Sequence, residues 1–370
     1  MRTVYINGKY TAQPLTGVQR VAGCLVHAID DLLMESGSDA ATRWVLLCPP
    51  TGPKPALGRI EACSVGPRWA ALTLWEQAFL PLASRGSLLL CLAGSAPAAK
   101  REQVCVIHDA AVFDTPAAYR WTFRNWYRWL FRRLARSAAL IVTVSRHSRL
   151  RLAQALSLDE AAIAVVPNGA DHLNSCTADA SIIARLQLQA GRYFLAVGSH
   201  NANKNQAAIV RAFAQMVADD GLRLVLVGDG NPAVFAPDGG LSHVDHRIVR
   251  AGRVSDRELK ALYAAALALL FPSHTEGFGL PPLEAMACGC PVITSKRGAI
   301  PEVCGDAAIY VDADDSAQMA EAMRQLLADP ALREHRRDIG LQRARGFTWQ
   351  AAAQALLSRM ARAGLVDAGR

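Results

Sequence analysis

Apolar residues along this chain gather into short runs of strand length, separated by stretches with helical spacing. Runs over 3–6, 44–48, 87–92, 103–107, 139–144 and 163–166 read as strands in the first half. Runs over 193–197, 222–227, 267–271, 291–294 and 307–311 do the same in the second. From Val18 onward Val21, Leu25, Ala28, Ile29 and Leu32 recur with the period of a helix, and further helices are predicted over 205–217, 256–265, 316–327 and from 347 through 357. Strands that are apolar throughout, alternating with helices, predict parallel sheets covered on both faces. The stretch 171–191 is polar and alanine-rich with no strong strand, so the domain boundary falls there.

Composition narrows the class. The chain has 370 residues, enough for two domains each with a core, and is 51% hydrophobic and 19% charged, as a globular α/β protein should be. No apolar run approaches the roughly 20 residues that span a bilayer. The opening M-R-T-V-Y-I-N-G lacks the apolar core of a signal peptide and reads as a first strand, which predicts a cytoplasmic protein. Nine cysteines are scattered without a C-x-x-C pair, so neither a zinc site nor a disulfide frame is expected.

The stretch 272–291, P-S-H-T-E-G-F-G-L-P-P-L-E-A-M-A-C-G-C-P, carries the densest chemistry. It lies between two strand-like runs and reads as a loop followed by one or two helical turns over 283–288. Proline fits a helix's first turn, and the orphan amides of a helix start favour anions. Gly277 and Gly279 allow close backbone approach to a ligand. Two carboxylates, Glu276 on the loop and Glu284 inside the helix, flank this corner. A diphosphate at the amides with hydroxylated rings on either side would use every one of these groups; an ordinary βα turn with solvated glutamates would look similar.

Other strand ends collect candidates. Gly17 stands at a strand-to-helix junction, and Arg20, in the helix's first turn, opposes the macrodipole, a cost that suits a residue serving a phosphate. His108 ends a parallel strand, where open α/β sheets place ligand contacts. Lys204, after Gly198 and the run S-H-N-A-N, is placed to neutralise a diphosphate. Gly228-Asp229-Gly230 and the stretch 252–256 end two more strands. There Val254's backbone and Asp256 are candidates for a nucleobase edge, although Ser255-x-x-Glu258 is a capping box and Asp256 can equally serve the helix start.

The run E-G-F-G-L-P-P-L-E-A-M-A-C-G-C-P-V-I resembles the E-x7-E signature of retaining glycosyltransferases of family 4. T-G-V-Q-R resembles that family's N-terminal glycine loop, and V-P-N-G-A-D its entry to the second domain. The resemblance implies a GT-B fold: two Rossmann-like α/β domains whose parallel sheets face across a cleft. These span 1–172, binding acceptor, and 173–347, binding the nucleotide sugar, with a last helix of about 348–370 packing back on the first. It implies that Glu276 and His108 touch the transferred sugar and that Glu284 holds the nucleotide's ribose. Gly17, Arg20, Gly198, Lys204 and the backbone of Gly277, Phe278, Gly279 and Leu280 would meet the diphosphate. The chain departs from the family at Asn203 and Ser199, where many members carry a second basic residue and an arginine.

Residues 120–151 contain nine arginines and no acid, a charge of +9 against +8 for the whole chain, so the remainder is close to neutral. Trp121, Phe123, Trp126, Tyr127, Trp129 and Phe131 interleave with them. A basic, aromatic, amphipathic helix suits an anionic membrane surface or a lipid-linked phosphate acceptor. Its aromatics can also simply fill a core while the arginines face water.

The function these features predict is retaining transfer of a sugar from a nucleoside diphosphate donor to a glycan or polyprenyl-pyrophosphate-linked acceptor. GDP-mannose is the donor favoured by likeness to bacterial mannosyltransferases of exopolysaccharide and O-antigen assembly. No metal, further cofactor or nucleic-acid partner is expected. A glycosidase is a poor fit, because a loop glutamate and a helix glutamate eight residues apart fix neither carboxyl spacing used by such enzymes. A GT-B epimerase that consumes donor without acceptor remains open. So does a non-catalytic basic binder of membrane or nucleic acid, which would show steep salt dependence and no nucleotide-sugar affinity.

Overall fold

The computed structural model describes residues 2–36, 42–198, 201–216, 221–228 and 245–366. Ser199, Val217, Asp229, Gly230 and the last four residues lie outside the described residues. The chain divides into two compact units. One comprises Met1–Ala110, Asn125–Gly169 and Thr348–Arg370; the other comprises Ala111–Arg124 and Ala170–Phe347.

The first unit holds seven strands, β1 (Arg2–Asn7), β2 (Thr42–Cys48), β3 (Glu61–Ser64), β4 (Leu88–Cys91), β5 (Gln103–Val106), β6 (Leu140–Thr143) and β7 (Ile163–Val165). They form one parallel sheet in the order β3-β2-β1-β4-β5-β6-β7. Strand order reverses at β1 and β4, and the C-terminal ends on either side of such a switch are where doubly wound sheets take ligands. The helix Trp349–Arg362, capped by Thr348 Oγ1 accepting from Ala351 N at 3.1 Å, packs on the helix Gly17–Glu35. Gln350 Nε2 donates to Glu35 Oε2 at 3.3 Å across that contact.

The second unit holds β8 (Tyr193–Val197), β9 (Arg223–Val227), β10 (Ile248–Gly252), β11 (Ala268–Phe271), β12 (Val292–Ser295) and β13 (Ile309–Val311). Its parallel sheet runs β10-β9-β8-β11-β12-β13, with the switch at β8 and β11. Phe194, Leu224, Leu226, Leu270 and Ile293 are buried on the sheet against Phe213 of the helix Gln206–Ala214 and Met319, Met323 and Leu326 of the helix Ser316–Ala328. This is why those strands read as unbroken apolar runs: both sheet faces are covered.

Three details differ from the sequence reading. The loop-to-helix corner of the second unit begins its helix at Leu280, three residues early, with Pro281 and Pro282 inside the first turn. The helix Ser316–Ala328 is capped by Asp315, which accepts from Ala317 N and Gln318 N at 2.9 Å. Asp312, three residues before that cap, accepts from Asp314 N at 3.0 Å. The arginine-rich block divides into the helix Trp121–Ala135, strand β6 and the start of the helix Arg146–Leu156, so only its first part is one amphipathic helix.

Candidate active site

The switch point of the second sheet gathers most of the predicted residues. β8 ends at Gly198, whose N–H donates to Val227 O at 3.0 Å, and a short turn, Ala202–Lys204, follows. The stem of Lys204 runs back over Gly198: a Cβ there would lie 3.5 Å from its Cγ, Cδ and Cε. Lys204 Nζ sits 4.6 Å above the Phe271 ring at the end of β11 and donates to Glu276 Oε1 at 2.5 Å. One of the ammonium's three donors is thereby used.

Glu276 is held by backbone. Its carbonyl accepts from Ala299 N at 3.0 Å, and a Cβ on Gly298, whose φ is +63°, would fall 2.5 Å from that oxygen. Only glycine fits this turn, so β12's following loop fixes where Glu276 stands. His274 N donates to Asn203 O at 2.9 Å, tying the lysine turn to the same loop.

Gly279, with φ +94°, begins the helix Leu280–Ala287, and its Cβ would lie 2.5 Å from Ile300 Cδ1. Because residues 281 and 282 are prolines, this helix start lacks two of its usual donors. The amide capacity lies in residues 277–280, not deeper in the helix. Phe278's ring is buried edge-on against Phe347 at 6.0 Å, so only its backbone remains for a ligand.

Glu284 is 3% exposed. Tyr263 OH donates to its Oε2 at 3.2 Å, and His172 Nε2 lies 3.1 Å from its Oε1. Burial, then the adjacent carboxylate, pushes the Tyr263 hydroxyl well above its ordinary range, so it stays protonated and donates. Neither partner was found in the sequence; His172 follows P-N-G-A-D directly, and Tyr263 sits on an apolar helix face like any core residue.

Val254 stands between β10 and the helix Asp256–Ala265, which Asp256 opens. Ser255 Oγ accepts from Glu258 N at 3.3 Å, and Ser255 N donates to Glu258 Oε2 at 2.8 Å, a complete capping box. Asp256 occupies the first helical position and is no part of that box.

In the first unit, Gly17 starts the helix Gly17–Glu35 with Arg20 in its first turn. A Cβ on Gly17 would meet nothing within 4 Å among the described residues, so packing in this unit does not demand glycine. Gly94 brings two candidate elements together, since its Cβ would lie 3.5 Å from His108 Cδ2 and 3.8 Å from Val18 Cγ1. His108 Nε2 donates to Leu92 O at 2.9 Å, which assigns the proton to Nε2 and leaves Nδ1 an acceptor. Burial lowers its pKa to about 4, so the ring is neutral near pH 7.

Beside these lies a network the sequence did not announce. Lys9 Nζ contacts Glu76 Oε2 at 2.7 Å, both side chains buried, and Glu76 Oε1 accepts from Asn7 Nδ2 at 2.9 Å and Ser95 Oγ at 2.7 Å. Glu76 stands in a π-helical turn, Trp75–Phe79.

Residues 191–329 match the family model described as glycosyl transferases group 1, and residues 80–172 match that of glycosyltransferase family 4. The chain is 30% identical over 259 residues, 67% of each protein, to O-antigen chain mannosyltransferase B of Escherichia coli. The chain belongs to glycosyltransferase family 4. This glycosyltransferase also superposes on sucrose-phosphate synthase from Thermosynechococcus elongatus with a TM-score of 0.75 at 20% identity, covering 98% of this chain and 100% of that one. Anabaena HepE, solved with UDP-glucose, gives a TM-score of 0.68 at 17% identity over 98% and 100%. The fold is GT-B. The group 1 match spans Gly198, Lys204, Val254, Asp256 and the whole E-x7-E stretch of the glycosyltransferase; the family 4 match spans His108 and the arginine-rich helix.

Proposed function

We propose that this glycosyltransferase moves a hexose from a nucleoside diphosphate donor to a hydroxyl of a glycan or polyprenyl-pyrophosphate-linked acceptor, with retention at the anomeric carbon. Mannose from GDP-mannose is the assignment we favour, in bacterial surface polysaccharide synthesis. One observation carries the reading. Lys204 and Glu276, 72 residues apart in sequence, meet at 2.5 Å beside a glycine-started helix whose donor amides are confined to residues 277–280. In this reading a cation, a sugar-binding carboxylate and a diphosphate-binding backbone share the C-terminal end of the sheet beside β8 and β11.

In this reading Lys204 and the amides stabilise charge on the departing diphosphate, which is where the reaction needs help. No metal ion is assigned a role. Glu276 accepts from hydroxyls of the transferred sugar, and Glu284 from the ribose. Val254's backbone and Asp256 face the base. For the first unit the proposal keeps the roles implied by family resemblance, His108 toward the sugar and Gly17 and Arg20 toward the diphosphate. The mannosyltransferase relative supports the sugar, and the neighbour solved with UDP-glucose supports a nucleotide-sugar donor.

The proposal extends to a membrane surface. The helix Trp121–Ala135 buries Leu130, Phe131 and Leu134, while Trp121 and Trp129 stay 68% and 50% exposed. These tryptophans share a face with Arg128 and Arg132 at helical spacing. Interfacial helices pair tryptophan with basic residues in this way, and each arginine near an anionic surface contributes about 1 kcal/mol. Among the described residues no helix is long and apolar enough to cross a membrane.

The test is turnover. GDP-mannose, other GDP-sugars and UDP-sugars are incubated with a polyprenyl-pyrophosphate glycan, and both diphosphate release and product anomeric configuration are measured. Acceptor-dependent release with a retained anomer is expected; release without acceptor, or inversion, overturns the proposal. Flotation with phosphatidylglycerol vesicles at low salt tests the membrane part, and absence of binding refutes it.

A further inference from the structure

The environment of Glu284 points to more than a buried carboxylate. A charge this enclosed must be met by polar partners, and here they come from two separate elements. Tyr263 reaches one oxygen from the helix Asp256–Ala265, at 3.2 Å. His172 reaches the other from the turn Asp171–Leu173, at 3.1 Å, with its own side chain 9% exposed. The turn Asp171–Leu173 packs on both the helix Leu280–Ala287 that carries Glu284 and the helix Asp256–Ala265, so His172 is not a passing surface contact.

Other titratable neighbours are already committed. Lys260 Nζ donates to Cys176 O at 2.9 Å. The Cys288 thiol, one turn beyond Glu284, is pushed up to about 12 by burial and then by the carboxylate, so it stays neutral. An ionised carboxylate accepts at about four lone-pair positions, two on each oxygen. The Tyr263 hydrogen bond holds one oxygen, and His172 Nε2 stands at ion-pair distance from the other, outside hydrogen-bond geometry.

We propose that His172 and Tyr263 form a two-point clamp that sets the Glu284 carboxylate for the vicinal hydroxyls of the donor's ribose, making both of them positioning residues for the nucleoside. The inference rests on the reading of Glu284 as the ribose ligand. A purely architectural role for the pair, gluing the turn to two helices, accounts for the same contacts but not for any dependence on ribose hydroxyls.

That difference supplies the test. Affinities for GDP and 2′-deoxy-GDP, and for UDP and 2′-deoxy-UDP, are measured by calorimetry on the full chain. The proteins are the wild type, Tyr263→Phe, which removes one oxygen and keeps the ring, and His172→Phe. Wild type is expected to favour the ribose form by about tenfold or more, as for a hydrogen bond to a charged group. Both variants are expected to weaken the ribose form alone and reduce the preference to less than about threefold. An undiminished preference in a folded Tyr263→Phe protein, with both nucleotides weakened equally or not at all, overturns the clamp while leaving the Glu284 assignment standing. Absence of any ribose preference in the wild type removes the Glu284 assignment and the clamp with it.

Discussion

His108 offers a prediction whose size follows directly from its surroundings. The folded protein holds its imidazole with a pKa of about 4, against 6.5 for the free side chain, because burial disfavours the charged ring more than the Leu92 carbonyl favours it. Below pH 6.5 the unfolded chain therefore takes up a proton that the folded chain refuses. The folded value lies under the unfolded one, so the stability is fully present above pH 6.5 and is lost as pH falls toward about 4. Linkage places the loss at about 2 kcal/mol between about pH 7.5 and pH 5, approaching about 3 kcal/mol near pH 4. His108→Gln keeps a donor for Leu92 O and removes the titration. Equilibrium urea unfolding at both pH values is expected to show a slope in the wild type that exceeds the variant's by that amount. Nδ1 therefore stays unprotonated near neutral pH, and under the proposed role it can accept from a sugar hydroxyl there. Parallel pH slopes in the two proteins, or an NMR titration of His108 near 6.5, would refute the reasoning.

Five other substitutions have defined outcomes. Lys204→Ala is expected to cost at least tenfold in kcat/KM, read from initial rates, because it removes the cation that pairs with Glu276. Glu276→Ala mainly loses turnover and Glu284→Ala mainly loses nucleotide affinity, a split read from kcat against donor KM. Gly298→Ala drives a Cβ to 2.5 Å from Glu276 O at a φ of +63°; lowered Tm and at least tenfold lower activity are expected, measured by thermal unfolding and initial rates. Glu76→Ala strands the buried Lys9 ammonium and is expected to cost about 3–5 kcal/mol in urea unfolding.

What the sequence made legible was whatever is decided locally. Core strands such as β8 and β11 are buried on both faces, so their apolar runs stand out against any background. The helix Asp256–Ala265 announced itself through Ser255 and Glu258, and its bounds follow from that capping box. Strand β3 leaves no trace in the sequence reading and β10 shows only its end near Gly252, because each lies at a sheet edge and is half exposed, leaving no continuous apolar run to read. The helix Pro330–Ala344 was hidden for a related reason: only Gly340 and Ala344 are buried, and its start is marked just by Asp329 and Pro330. At the site, E-x7-E was visible as a motif, but its supports were not. Gly298 and Ala299 reach Glu276 from the far side of β12, and His172 reaches Glu284 across 112 positions. Such contacts are made by sheet topology, and no spacing along the chain encodes them.

The account depends on a nucleoside diphosphate binding at the switch point of the second sheet. Titration calorimetry of the wild type and Glu284→Ala with GDP and UDP tests this most directly. The account predicts saturable binding of one nucleoside diphosphate to the wild type, weakened at least tenfold in the variant. Equal affinity in the two proteins, or no binding of either nucleotide to the folded wild type, would contradict it.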